Sequence, residues 1–345
     1  MTSQPHPLKF LNPGWFSLVM GLCGLTLAWH AASGLLEPMA TGVSLVLGLL
    51  AAGVFGVLVV ASLLRWQRHP EALAEDLRHP VRHAFVAAVP VGALLLVAVG
   101  VALLGADSVW RPLFNAVWWA AALGQLWVTV WALGRWFAVP APGAAPGSLW
   151  PAVTPVLLIP VVGNVVVPVA GLPLGHDAWS MVHLGIGVFF WPVVFTLLVV
   201  RRLTHSPLPD RLLPSWMITL APPSVVGVVL HQLGAPLPVL TALWGVGLFV
   251  LLWVGTLGKR IAAQPFGIPF WALSFPLAAF TTLTLRITER LQGTASQGGA
   301  QTGSMVLLAI TTIVITWLVL ATVRGLRQGT LLAPEPVAQI TPVAN

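Results

Sequence analysis

Residues 84–105 read AFVAAVPVGALLLVAVGVALLG, an uncharged apolar run with one proline, Pro90, inside it. At 1.5 Å per residue such a helix covers about 33 Å, close to the hydrocarbon thickness of a bilayer. A proline inside a helix removes a backbone hydrogen bond and crowds the preceding turn, so it bends the helix. In lipid the freed carbonyl must find a partner or line a wet cavity. The same feature recurs at Pro160, Pro222 and Pro276, at separations of 70, 62 and 54 residues. That spacing is one pair of membrane helices, so the chain reads as repeated pairs, one bent and one plain. Bent helices in alternate positions predict an axis around which they gather, and in a membrane such an axis is a pathway.

Composition places the whole chain in the bilayer. It is 57% hydrophobic and 7% charged over 345 residues, where a soluble domain carries roughly 25% charged residues. Seventeen Trp and no Tyr fit a chain rich in membrane–water interface, which Trp favours. The net charge of +7 is spread over many loops, with no basic stripe interleaved with aromatics, so nucleic acid is not an expected partner. Cys23 is the only cysteine, which excludes an intramolecular disulfide and a cysteine metal cluster. Arg outnumbers Lys 14 to 2 in a chain rich in Ala and Gly, which points to a GC-rich bacterial genome and a bacterial cytoplasmic membrane.

Ten spans are expected, near 14–34, 42–64, 84–105, 112–135, 150–171, 178–200, 214–233, 237–257, 268–287 and 304–325. The first ends in Ala31 and Ala32, like a signal cleavage site, but it is long and preceded by Lys9 alone, so it reads as a span. With the N-terminus cytoplasmic, thirteen Lys and Arg fall on inside segments and three, Arg111, Arg286 and Arg290, outside. This positive-inside bias puts both termini in the cytoplasm, and an odd span count would scramble it. Short loops such as 172–177 and 233–237 join spans into five helical hairpins. Residues 1–13 form a cytoplasmic segment before the 14–325 membrane domain. Residues 326–345, with Pro334, Pro336 and Pro342, read as a disordered tail.

No Asp, Glu, Lys or Arg lies near the centre of any span. An ionisable residue there costs roughly 2.5–3.5 kcal/mol on insertion scales and marks ion or proton relays. Its absence argues against a proton pump and leaves a pathway without fixed charge at its centre. Ser17, Asn164, His183, Ser274, Thr281 and Thr282 are the polar residues noted within spans, and helix–helix hydrogen bonds are the plain reading of each. Asn164 follows Pro160 by one turn. The first span lacks the proline but has Gly14, Gly21 and Gly24, which permit bending or close packing. His79 and His83 sit in a basic loop broken by Pro80 and do not read as a zinc pair. No catalytic triad, phosphate loop, dinucleotide fingerprint or metal motif appears, so neither an enzyme nor a cofactor is expected. Phe275 stands directly before Pro276, at mid-membrane. If the bent helices face an axis, its ring blocks that axis, and a rotamer change costing roughly 0.5–1.5 kcal/mol could unblock it.

At these residues the chain resembles the tellurite-resistance/dicarboxylate transporter family, over nearly all of residues 11–325. Pro13-Gly14-Trp15-Phe16 with Gly21-Leu22 resembles the family's first-span motif. His79-Pro80-Val81-Arg82 with Phe85 and Pro90 follows the third. Pro160-Val161-Val162-Gly163-Asn164 resembles the fifth, and Ala221-Pro222-Pro223-Ser224-Val225 the seventh. Leu243-Trp244-Gly245 and Trp271-Ala272-Leu273-Ser274-Phe275-Pro276 resemble the eighth and ninth. The resemblance rests on six motifs in order on the right spans.

The resemblance implies an all-α integral membrane fold of ten helices in five hairpins, in a quasi-fivefold arrangement with the odd helices lining a central pore. It implies a homotrimer with one pore per protomer and the gate at Phe275. Ser17, Gly21, Pro90, Pro160, Asn164, Pro222 and Pro276 become pore-lining or kink positions. Ser17 departs from the bacterial branch, where glycine stands opposite the gate. The implied partners besides membrane lipid are small anions: chloride and nitrate, or sulfite, tellurite and dicarboxylates. The expected function is a gated anion channel or permease, with a proton-coupled efflux carrier as the alternative and a membrane sensor or embedded enzyme more distant. Arg82, near the third-span mouth, would raise the local anion concentration there. Carbonyls freed by proline would repel an anion and should point away from the lumen.

Overall fold

The computed structural model describes residues 7–137 and 150–333, and among them all regular structure is helical. Among the described residues nine helices are long and apolar enough to cross a membrane: α1 (Pro13–Ala31), α2 (Met39–Arg68), α3 (Arg82–Leu104), α4 (Arg111–Phe137), α6 (Asp177–Thr204), α7 (Asp210–Gln232), α8 (Leu237–Gly255), α9 (Ile268–Arg290) and α10 (Gln297–Arg327). Between α4 and α6 lies a shorter apolar helical stretch, α5 (Pro155–Gly171). The sequence predicts one span over 150–171. The described part is instead a chain of short pieces, 3₁₀ over Pro155–Leu157 and Gly163–Val166 and α over Leu158–Val162 and Val167–Gly171. Pro155, Pro160, Pro168 and Gly163 fall in these short pieces, and each proline removes a donor that a continuous ladder would need.

The prolines act differently from simple kinks. α1, α3, α7 and α9 each open with a 3₁₀ segment and then turn α-helical. Pro90, Pro160 and Pro276 are each the third residue of an α segment and Pro222 the second. In a first α turn the missing N–H loses little and the fixed φ suits the helix. The aligned prolines therefore mark the change from 3₁₀ to α rather than breaking an α-helix at its middle. In α1, which has no proline at this place, Ser17 begins the α segment and its Oγ donates to Gly14 O at 2.6 Å. Ser274 at the same junction of α9 donates to Trp271 O at 2.6 Å.

Burial separates two classes of helix. In α1, α3, α7 and α9 between 56% and 83% of the apolar window is buried, against 22–39% in α2, α4, α6, α8 and α10. The poorly buried helices turn residues such as Leu45, Leu49, Leu252 and Ile313 outward. Apolar surface on this scale suits lipid, not water. The buried helices pack on one another in succession: α1 on α3, α3 on α5, α5 on α7, α7 on α9, and α9 back on α1. Each also packs on the poorly buried helix that follows it. The α1–α9 contact is close enough to need glycine. A Cβ on Gly21 would lie 2.6 Å from Ser274 Cβ, and one on Gly24 3.0 Å from Ala278 Cβ and 3.2 Å from the Phe275 ring.

The segment before α3 is pinned from several sides. Asp76, fully buried on the short helix Pro70–Arg78, accepts from Arg65 at 2.7 Å and from Arg82 at 2.8 Å. Arg65 Nε also donates to Lys9 O at 3.0 Å, and Arg135 to Leu77 O at 2.9 Å. Of the expected tail, residues 334–345 lie outside the described residues, as do residues 1–6 of the N-terminal segment. α10 itself runs to Arg327, and Thr330 N–H bonds back to Gly325 O at 3.0 Å.

Candidate functional site

Two cavities lie one above the other along the buried helices. The narrow one, of about 60 Å³, is walled by all five, α1, α3, α5, α7 and α9, in the half nearer the basic loops. Its lining holds no ionisable side chain. Ser17 and Trp271 are its polar members, and both are satisfied elsewhere, Ser17 by Gly14 O and Trp271 Nε1 by Thr322 Oγ1 at 2.9 Å. Phe275 and Pro276 close the α9 side and Pro222 lines the α7 side. Phe275 is 7% exposed, with its ring against the face of α1 that Gly24 leaves open. At roughly 10–15 Å³ per enclosed water, 60 Å³ holds only a few molecules, and only where polar partners hold them.

The wide vestibule, of about 790 Å³, lies toward the opposite ends of the same five helices and also meets α6. On α9 it begins at Thr282, seven residues after Phe275, or about 10 Å along the helix axis. Residues 277–281 of α9 line neither cavity. His30, Asp177, His231 and Arg286 are its ionisable members. Arg286 Nη1 donates to Glu289 Oε1 at 2.7 Å, and His231 Nε2 stands 4.0 Å from Glu289 Oε2.

The other residues named from sequence sit in the walls. Asn164 is fully buried and faces the outer helices, not the cavity. Its Nδ2 donates to Thr129 Oγ1 at 2.8 Å and Val161 O at 2.9 Å, and its Oδ1 accepts from His183 Nδ1 at 2.7 Å. Pro160 is buried without lining either cavity. Its carbonyl accepts from Gln125 Nε2 at 3.1 Å and lies 2.7 Å from Thr129 Oγ1. Ile159 O and Val167 O are likewise taken by Gln125 and by Trp118 Nε1. These carbonyls of the broken helix thus point toward α4 and away from the lumen. Pro90 lies where a Cβ on Gly124 of α4 would come within 3.6 Å of it, and Gly21 sits at the α1–α9 contact. Thr281 meets Thr311 of α10 at 2.7 Å, while Thr282 donates within its own helix to Ala278 O.

The sequence pattern described as voltage-dependent anion channel matches residues 11–323. The chain belongs to that family. It is 26% identical to the tellurite resistance protein TehA homolog of Haemophilus influenzae, over 95% of this chain and 93% of the relative. It is 25% identical to the sulfite efflux pump SSU1 of Arthroderma otae, over 80% and 81%. It is 23% identical to the S-type anion channel SLAH2 of Arabidopsis thaliana, over 66% of this chain and 42% of that longer protein. The apolar helices and these relatives make it an integral multi-pass membrane protein.

In this member of the voltage-dependent anion channel family, the His79-Pro80-Val81-Arg82 run is a structural knot. His79 Nδ1 accepts from the backbone N–H groups of Val81 and Arg82, both at 3.1 Å, and so serves the first turn of α3. Burial and the neighbouring Arg82 push its imidazole down to about 4. Burial pushes the Asp76 carboxyl up, against the pull of Arg65 and Arg82. Arg82 meets Asp76 and Glu75, so its field at the mouth is met by carboxylates. Three residues on, Phe85 lines the narrow cavity. Sequence reading missed the vestibule charges and the Gln125–Thr129 pair. Arg286 was legible as an outside charge, and its spacing from Phe275 puts it on the same helix face. Gln125 and Thr129, four apart in an apolar helix, were a readable polar stripe.

Proposed function

We propose that this protein is a gated channel or permease for small inorganic anions, with the pathway running through each protomer and Phe275 as its gate. The observation that carries this reading is the pair of cavities, walled by the same five helices and separated on α9 by residues 277–281, directly after Phe275 and Pro276 on the narrow cavity's wall. An anion carried bare into an apolar medium faces a Born cost of tens of kcal/mol. The narrow cavity offers it no charge, so passage requires a path wide enough for water, which the ring denies. The proposal includes ten spans in five hairpins about a quasi-fivefold axis, with α5 as the short, broken span, and a homotrimer in a bacterial inner membrane with both termini cytoplasmic. Chloride and nitrate are the proposed ions for a channel, and sulfite, tellurite or C4-dicarboxylates for a carrier. Anion flux into proteoliposomes tests the gate: Phe275→Ala, correctly inserted, conducts well above the parent. A silent mutant overturns the gate assignment.

A second reading, a proton-coupled carrier, is favoured by the likeness to sulfite efflux pumps and by two histidines on the vestibule wall. Flux with and without an imposed pH gradient separates the two. A strict requirement for the gradient rules out a simple channel, and flux driven by the anion gradient alone rules out obligate coupling.

A further inference from the structure

We propose that the wide vestibule is a proton-tuned binding site for a small hydrated monovalent anion, anchored by Arg286 and flanked by His30 and His231. The inference rests on the anion-pathway reading and adds a recruitment site to it. Phe275, Thr282 and Arg286 lie on one face of α9. Seven residues turn a helix by about two full turns and four more by slightly over one. Arg286 therefore stands on the same face as the gate, at the wide end of the path. His30 comes from α1 and His231 from α7, so three helices bring protonatable or cationic groups to one space. That space, about 790 Å³, is large against the ~30 Å³ that a water occupies, so an ion enters with its hydration shell.

The counter-charges make the site conditional. Glu289 holds the Arg286 guanidinium at 2.7 Å, and Asp177 of α6 lines the same wall. Arg290 is the other cation beside His231. α3 and α5 line the vestibule with residues such as Ala98, Val101, Val169 and Leu172, none of them titratable. With both histidines neutral, Arg286 is balanced by nearby carboxylates and the vestibule attracts anions weakly. Histidine titrates between about pH 5 and 8 when unperturbed. Protonating His30 and His231 adds two positive charges to the wall. Protonated His231 also competes for Glu289, 4.0 Å away, and so releases Arg286 to a passing anion. A pathway with no ionisable group in its narrow part thereby acquires a pH response at its mouth.

Chloride line broadening in ³⁵Cl NMR reads such weak binding without any need for conduction. The full chain in a neutral detergent is compared at about pH 4.5 and about pH 8, the acid arm below the ordinary histidine range because Arg286 and Arg290 stand beside these imidazoles. Broadening at the lower pH is expected to exceed that at the higher by about threefold, from the added charge. His30→Gln with His231→Gln flattens that dependence. Arg286→Gln lowers broadening at both pH values, and Glu289→Gln raises it at the higher one. If Arg286→Gln alone does not fold, Arg286→Gln with Glu289→Gln leaves no charge of that pair unpaired and is expected to lose the excess broadening. Broadening in that double variant equal to the parent at both pH values overturns the site, and so does a parent without pH dependence. Loss of broadening in these variants while Phe275→Ala still conducts supports the vestibule role. Intact pH-dependent broadening with a silent Phe275→Ala sinks the gate reading and leaves the vestibule standing.

Discussion

The narrow cavity holds about 60 Å³ and the wide vestibule about 790 Å³, yet the same five helices wall both. The narrow one is lined by residues such as Met20, Val162, Val225 and Phe275, and the wide one carries His30, Asp177, His231 and Arg286. A charge at the narrow level would lose its water and would need a buried partner, which costs several kcal/mol per ion. At the wide level water stays, and charges stand there at little cost. On the proposed reading the fold keeps recognition and obstruction apart: charge where the ion is hydrated, an aromatic ring where it would not be.

Phe275→Ala tests this division most directly, because it removes the proposed gate ring from the α9 wall of the narrow cavity. Anion flux in proteoliposomes is expected to rise by about tenfold or more, which needs only about 1.4 kcal/mol off the barrier. Thermal unfolding should register a loss near the lower end of the roughly 3–5 kcal/mol typical of Phe→Ala, since the ring already borders empty space. Gly21→Ala attacks the same level from the α1 side. Its Cβ would meet Ser274 and Trp271, and overpacking of this kind costs about 1–3 kcal/mol. Gly185→Ala is the control: nothing lies within 4 Å of its added Cβ, so it should be neutral or, by about 0.8–1 kcal/mol of helix propensity, stabilising. Equal melting temperatures for the two variants would contradict the close α1–α9 contact.

Much of this division was legible in the chain. The long apolar runs gave the helices, and the aligned prolines pointed to α3, α5, α7 and α9 as a class apart; of these, the three whole spans α3, α7 and α9 are the better-buried kind. Ser17, Pro222, Phe275 and Pro276, all named from their motifs, line the narrow cavity. What a proline does locally was less legible, because a 3₁₀ opening followed by an α turn has the same apolar pattern as a kinked α-helix. Asn164 makes the helix–helix hydrogen bonds that its residue type suggested, but which partners it takes, Thr129 and His183, 35 residues before it and 19 after, was not legible. The vestibule escaped notice for a similar reason. His30, His231 and Arg286 are scattered along the chain, and only the packing of α1, α7 and α9 brings them to one wall.

A hydroxyl moved between the two levels sharpens the comparison at smaller amplitude. Val225→Thr adds an O–H to the narrow wall with almost no change of shape. In the Phe275→Ala background it should raise flux up to about threefold by helping water stay, since a dry apolar cavity fills only when polar partners appear. Thr282→Val removes an O–H from the wide level, where that hydroxyl already bonds Ala278 O. Flux should then change by less than about twofold, because the mouth stays wet without it. The opposite ranking would place the barrier to anions at the vestibule.

Acid is expected to act on the two ends in opposite senses. His79 must be neutral to accept from Val81 and Arg82, and its imidazole is pushed down to about 4. The unfolded chain, with its histidine near 6.5, takes up the proton first as pH falls, so the contribution of His79 is fully present above about 6.5 and is lost toward about 4. α3 begins at this knot, and Phe85 on its first turns lines the narrow cavity. The basic-loop end should therefore loosen over the window in which the proposed vestibule site is expected to bind anions more strongly. His79→Asn supplies an acceptor that does not titrate. The melting temperature of the parent should fall more steeply than that of His79→Asn between about pH 7 and about pH 4.5. The two curves should converge at the acid end, where the parent has lost its acceptor. Parallel curves across the whole range would remove His79 from the pH response and leave the vestibule histidines as its source.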